Sequence, residues 1–319
     1  MSLGAFAQHD ILLTQQWFSR INRNPASTGN SDYLDMFLLS RRQWFGVDNM
    51  PQSNLMNVHS YFDKIRSGIG LSVIYDNPGG IANSNVNAKI PFAYHVNLKE
   101  DLLLSLGVSA GILYKSFDPS KHVLLHEQEK ELETFNYNEK TGKVNPDFDF
   151  GVELSMPKFL FGASVTHLGI TRNQQTENKT DGTSVTSSNL TSFNAPMHFY
   201  GYARGNFALT ETFDLTPSVV YLNTGKVNLL TLGANLFYKK MAWIGFDYRP
   251  PSPRKADLQK WDYSTLTAIV GVEWNFFRVG FAYDLSLSKL NDLSYSTGEL
   301  MLSFRIPNKA NKYGVRFMQ

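Results

Sequence analysis

The sequence predicts an all-β protein: a closed antiparallel transmembrane β-barrel of about 14 strands, with an N-terminal extension packed at its periplasmic side or in its lumen. Three observations lead there. Many segments alternate strictly between apolar and small or polar residues. No apolar run is long enough for a membrane helix. The long connections fall on one side only of the strand series.

The alternation is plainest in "RVGFAYDLSLS", residues 278–288. Val279, Phe281, Tyr283, Leu285 and Leu287 point one way, and Arg278, Gly280, Ala282, Asp284, Ser286 and Ser288 the other. A period of two is a strand signal. Taken in order, such segments fall at 33–47, 52–62, 67–75, 84–96, 101–113, 148–155, 158–166, 197–208, 212–222, 226–237, 241–249, 264–275, 277–287 and 297–306. In 226–237, Leu230, Leu232, Ala234 and Leu236 oppose Thr231, Gly233 and Asn235. In 264–275, Leu266, Ala268, Val270, Val272 and Trp274 oppose Thr265, Thr267, Gly271 and Glu273. Most of these segments exceed the five or six residues common in globular strands and suit a tilted membrane span.

Joins after even-numbered segments are short, whereas 76–83, 114–147, 167–196, 250–263 and 288–296 all follow odd-numbered ones. Successive antiparallel strands end on opposite sides, so the long joins share a side, as outer-membrane barrels require. A sheet in hydrocarbon must close on itself, because open edges would leave backbone groups unsatisfied. Aromatics near segment ends, among them Trp44, Phe45, Phe92, Tyr94, Tyr114, Tyr238, Trp243, Tyr248, Trp261, Tyr263, Trp274 and Tyr283, are expected to form interfacial girdles.

Composition agrees. Charged residues make up 18% of the chain, against roughly 25% in soluble proteins. Formal net charge is +2, from 30 Lys and Arg against 28 Asp and Glu, so no basic stripe marks a nucleic-acid partner. Cysteine is absent, which excludes disulfides and thiolate chemistry. The longest apolar candidate, "LLLSLGVSAGILY", is broken by Ser105, Gly107, Ser109 and Gly111, short of the roughly 18 to 20 residues a helix needs to span. The start, "MSLGAFAQ", contains Ala5-Phe6-Ala7, either the stub of an export signal or an ordinary N-terminus.

Catalytic and metal signatures are missing. The seven histidines form no H-E-x-x-H, and His122 and His126 stand in a Glu- and Lys-rich stretch that reads as a solvated loop with a short helix. Asn178-Lys179-Thr180 matches a glycosylation acceptor in a polar loop. No G-x-S-x-G elbow or phosphate loop is present, so neither an enzyme nor a cofactor is expected. Charges expected to face the lumen, Asp247, Arg249, Glu273, Arg278, Asp284 and Arg305, either pair with one another or grip a plug or peptide. Internal pairing is the plainer reading.

Ahead of the first strand, Trp17 and Phe18 need burial, and turn residues follow at Asn24-Pro25 and Gly29. A barrel larger than eight strands has room for them. The chain thus divides into 1–32, signal remnant and extension; 33–306, barrel; and 307–319, tail.

The opening "QQWFSRINRNPASTG", with Asn24, Pro25, Ala26 and Gly29, resembles the start of the PorP/SprF family of the type IX secretion system, found in the phylum Bacteroidetes. "LLSRRQWFGVDNMPQSNLMNVHSYF" continues the resemblance, where Arg42, Gln43, Trp44, Gly46 and Pro51 stand in the family's pattern. "GIGLSVIYDNPGG", "LLLSLGVSAGI", "KVNPDFDFGVEL", "WIGFDYRP" and "RVGFAYDLSLSKLNDLSYSTGELMLSF" follow in the family's order, over about residues 15 to 306. The resemblance implies a non-catalytic outer-membrane barrel in protein export or surface retention. The implied partners are secreted proteins with a type IX C-terminal domain, as in the gliding-associated branch, or periplasmic lipoproteins of the apparatus. The terminal "IPNKANKYGVRF" departs from the family's compact ending and leaves branch and partner open. A diffusion channel for small solutes is the competing reading of the barrel itself. Trp17, Phe18, Asn24, Pro25, Gly29, Arg42, Gln43, Trp44 and Gly46 are the candidate structural or partner-binding positions, although Pro25 and Gly29 also serve as turn formers and Trp44 as an interface anchor.

Overall fold

The computed structural model describes residues 13–31, 33–45, 50–79, 83–117, 141–169, 197–224, 228–251, 264–287 and 297–308. Its strands are β1 (Tyr33–Arg42), β2 (Gln52–Phe62), β3 (Ser67–Asn77), β4 (Asn83–Lys99), β5 (Leu102–Phe117), β6 (Thr141–Ser155), β7 (Phe159–Leu168) and β8 (His198–Gly205). They continue with β9 (Phe207–Ala208), β10 (Phe213–Asn223), β11 (Asn228–Tyr238), β12 (Ala242–Arg249), β13 (Thr265–Trp274), β14 (Phe277–Ser286) and β15 (Thr297–Pro307). β8 and the two-residue β9 both pair with β10 and form one span around Asn206, so the wall has fourteen spans. Every neighbouring pair is antiparallel, and β1 pairs with both β2 and β15, closing the ring. The expected fourteen-span barrel is the fold found.

Alternation decides which face meets lipid. Along β14, Val279, Phe281, Tyr283 and Leu285 are exposed on the outer surface, while Arg278, Gly280, Ala282 and Asp284 are buried within. An outward apolar band is what hydrocarbon demands. Two sequence expectations need correction. The first strand ends at Arg42 rather than 47, because the chain turns at Gln43–Phe45, with Trp44 at φ 59°. The sixth begins at Thr141 rather than 148. Asn145 and Asp147, expected in the preceding loop, instead join Asp149 on the buried inner face of a strand whose outer face is Val144, Pro146, Phe148 and Phe150.

Joins at one end of the barrel are tight: 63–66, 100–101, 156–158, 209–212, 239–241 and 275–276. Those of 118–140, 169–197 and 250–264 all lie at the other end. The tight end is therefore periplasmic. Arg66, Lys239, Lys240 and Asn275 turn the chain there with left-handed φ between 47° and 57°. β1 starts and β15 finishes at that same end.

Of the expected girdle, Trp44, Phe92, Tyr94, Tyr114, Tyr238, Tyr248, Trp274 and Tyr283 are exposed. Trp243 is not. It is 2% exposed, turned into the lumen against Phe18 at 4.9 Å between ring centroids. Its place near a strand end suited either face, and an aromatic partner inside selected the inner one. Residues 1–7, Gly46, the His122/His126 pair, Asn178–Thr180, Trp261, Tyr263 and 309–319 lie outside the described residues.

Candidate functional site: a lumen filled by the N-terminal segment

Residues 13–31 run inside the barrel, and all of them except Asn22 are buried. Two short 3-10 turns shape this plug, at Gln15–Phe18 and Pro25–Ser27. The second starts at Pro25, whose missing N–H and fixed φ suit a first helical position. The Asn24 side chain caps it by accepting from the Ala26 N–H at 2.9 Å. The same side chain donates to the Val152 carbonyl at 3.0 Å and to the Tyr202 hydroxyl at 2.9 Å. One asparagine thus shapes the plug and fastens it to β6 and β8.

Two carboxylates from the wall hold the segment at its two levels. Glu153, near the periplasmic end of β6, accepts from Arg20 Nε at 3.2 Å, Asn30 Nδ2 at 2.7 Å and the Tyr202 hydroxyl at 2.5 Å. Burial alone would push the Arg20 guanidinium down, but Glu153 beside it holds it above its ordinary value. Glu299, near the outer end of β15, accepts from the backbone N–H groups of Thr14 at 3.0 Å and Gln15 at 2.7 Å. Arg41 completes that anchor, reaching Glu299 at 3.3 Å and Asp284 at 2.6 Å. The plug therefore descends from near the outer mouth at Thr14 to the periplasmic end at Asn30.

Weaker bonds line the path between. The Gly29 N–H donates to His59 Nδ1 at 3.1 Å, His95 Nε2 lies 2.9 Å from the Thr28 carbonyl, and Ser164 Oγ donates to the Arg23 carbonyl at 2.7 Å. Trp17 meets Tyr202 edge-on at 5.7 Å, and the Arg278 guanidinium lies 4.7 Å from the Phe18 ring. Backbone contact is close enough to require glycine at two places. A Cβ on Gly68 would stand 1.9 Å from the Thr28 carbonyl oxygen, and one on Gly107 would stand 2.1 Å from the Ala26 nitrogen.

The structure separates the candidate residues into four groups. Trp17, Phe18, Asn24, Pro25 and Gly29 come together in the plug, Gly29 at φ 71°. Arg278, Glu273 and Arg305 form a chain near the periplasmic rim, with Arg278–Glu273 at 2.6 Å and Arg305–Glu273 at 2.8 Å. Asp247 and Arg249 lie apart from it, in a cleft toward the outer mouth. Arg42, Gln43 and Trp44 sit at the outer end of β1 with Arg42 and Trp44 exposed, away from the plug. The arginine that faces inward is Arg41. Sequence reasoning also missed Arg20, Glu153, Tyr202 and Glu299. Glu153 and Glu299 carried a usable signal, a carboxylate on the face of an alternating strand that also holds small or polar residues, Gly151 and Ser155 for the first and Thr297 and Ser303 for the second. Arg41 carried none, because residues 36–39 are apolar on both faces and do not reveal which is which.

Among the described residues no cluster of His, Cys, Asp and Glu could hold a metal, and no helix is long and apolar enough to cross a membrane. Among curated proteins none matches the chain. Solved structures that resemble it include the toluene transporter TodX of Pseudomonas putida (9% identity, 94% of this chain and 95% of that one, TM-score 0.55). The toluene transporter TbuX of Ralstonia pickettii (10%, 90% and 93%, 0.52) and the monoaromatic hydrocarbon channel CymD (11%, 94% and 94%, 0.54) resemble it to a similar degree. At such identity the likeness is one of fold alone. The family model for the type IX secretion system membrane protein PorP/SprF matches residues 5–304. The barrel and the plug therefore belong to a non-enzymatic protein of the outer membrane with a transport role, and this chain is a member of the PorP/SprF family.

Proposed function

We propose that the protein binds cargo carrying a type IX C-terminal domain and anchors it at, or shuttles it to, the cell surface. The observation that carries this reading beyond family membership is the filled lumen. Residues 13–31 occupy the inner wall with buried ion pairs and backbone hydrogen bonds, so the interior serves the protein's own chain. A diffusion channel would need that segment to leave, exposing Glu153 and Arg20, each buried at 1% or less, without their partners. Cargo then meets the barrel at its outer end, where the long joins lie, and an extended chain can bind there through main-chain pairing and side-chain pockets.

Affinity capture from native outer membranes tests this. Recovery of a secreted protein, abolished when only its C-terminal domain is deleted, is the expected result. Retained capture without that domain would overturn the anchoring mechanism. Recovery of a periplasmic lipoprotein alone would replace it with a scaffold role, and steady conductance in a planar bilayer with no partner would restore the channel.

A further inference from the structure

Thr28 and Gly29 share one peptide group at the periplasmic end of the plug, and two imidazoles of the wall grip it. The Thr28 carbonyl lies 2.9 Å from His95 Nε2 on β4, and the Gly29 N–H donates to His59 Nδ1 on β2 at 3.1 Å. A carbonyl oxygen only accepts, so His95 carries a hydrogen on Nε2. A backbone N–H only donates, so His59 Nδ1 keeps its lone pair. All four residues are buried. The backbone there lies against β3, where a Cβ on Gly29 would stand 2.5 Å from Gly68 Cα.

The two histidines differ in what a proton does to them. His95 would gain its second hydrogen on Nδ1, where Ser105 Oγ at 2.7 Å can accept it, so its bond to Thr28 survives. His59 would gain its hydrogen on the nitrogen that faces the Gly29 N–H, and two donors would meet. Its Nε2 lies 3.9 Å from Asp35 Oδ2 on β1, so an imidazolium there has a carboxylate to turn to. The other charged groups around it are Arg305 of β15, 3.7 Å from Asp35 Oδ1, and the pair formed by Arg20 of the plug and Glu153 of β6 at 3.2 Å. β3 places only Gly70 opposite His59. We propose that His59 is a pH-sensitive latch on the periplasmic end of the plug: neutral, it holds Gly29; protonated, it lets Gly29 go and pairs with Asp35. The latched form has no place for that proton, so the latch is complete at high pH and is lost as pH falls. This inference concerns the plug and does not rest on the proposed cargo binding.

The test is hydrogen exchange of the whole protein in nanodiscs between about pH 8 and pH 5, a range that brackets an ordinary histidine, with each rate corrected for the intrinsic effect of pH. Protection of the Gly29 amide is expected to fall by roughly tenfold or more on acidification, the scale of one lost hydrogen bond, while the amides of β2 hold. His59→Asn puts an amide oxygen, an acceptor that takes up no proton in this range, in the place of Nδ1, and is expected to keep Gly29 protected throughout. Asp35→Asn removes the carboxylate that receives the imidazolium, and is expected to move the loss to lower pH. Folding of each variant is checked by heat-modifiable electrophoretic migration. Equal protection of Gly29 across the range in the unaltered protein would overturn the proposal. So would an unchanged pH dependence in folded His59→Asn, or an unmoved midpoint in folded Asp35→Asn. The two substitutions lie on different strands, and either decides where the other fails to fold.

Discussion

Phe281 and Asp284 stand three residues apart on β14 and face different worlds. Phe281 is 45% exposed on the outer wall, where lipid covers it. Asp284 is 4% exposed inside, accepting from Arg41 at 2.6 Å and from Thr267 at 2.8 Å. Lipid is a fluid partner that accepts any apolar shape, whereas the plug is one particular chain in one position. The outer face therefore needs only a residue class, and the inner face needs particular residues. Along these strands, alternate positions obey different rules of substitution.

The contrast is broken most completely by filling the space the plug backbone occupies. Gly68→Val puts side-chain atoms where the Thr28 carbonyl lies, and backbone cannot give way as a flexible side chain can. Release of residues 13–31 is expected, with the barrel still migrating as a folded species. Trypsin should then cut after Arg20 and Arg23, both buried in the unaltered protein. Continued protection of these arginines would mean that the plug tolerates a shift of its path.

Removing one partner of the lower anchor comes next. Glu153→Ala leaves Arg20 buried without its carboxylate and Tyr202 without an acceptor, while Asn30 keeps only its bond to Ser155 Oγ. A loss of about 3–5 kcal/mol is expected from breaking a buried pair, read by urea unfolding in lipid vesicles. Equal stability of the two proteins would show that the plug adds nothing to the fold.

On the outer face a charge is expected to cost less and a shape change almost nothing. Phe281→Arg should destabilise by roughly 2–4 kcal/mol if it sits at the bilayer midplane. Phe281→Leu should fall below about 1.5 kcal/mol, because lipid fills the difference. A cost for Phe281→Leu as large as that of Glu153→Ala would erase the distinction between the two faces. Asn24→Ala sharpens the comparison from within, since it removes a cap and a fastening together. About 1–2 kcal/mol is expected from the cap and the buried hydrogen bond, with increased trypsin access at Arg20 as the accompanying sign.

The sequence by itself determined the barrel, its approximate strand number, its orientation and the need to bury Trp17 and Phe18. Each follows from a local rule: period two for a strand, the lengths of alternate joins for sidedness, and the energetic demand of lipid for closure. Only the tertiary structure decided that the extension lies within the lumen, that Glu153 and Glu299 hold it, and that Trp243 turns inward while Arg42 turns out. Those outcomes depend on pairing across long stretches of chain, such as Thr14 with Glu299 or Asn24 with Tyr202. A period-two pattern says that a side chain faces the lumen, but not what it meets there. Where both faces of a strand are apolar, as at residues 36–39 of β1, the pattern loses even the choice of face, and pairing across the wall decided it: Arg41 lies inside, opposite Glu299 in the β1–β15 register, and bonds both Glu299 and Asp284.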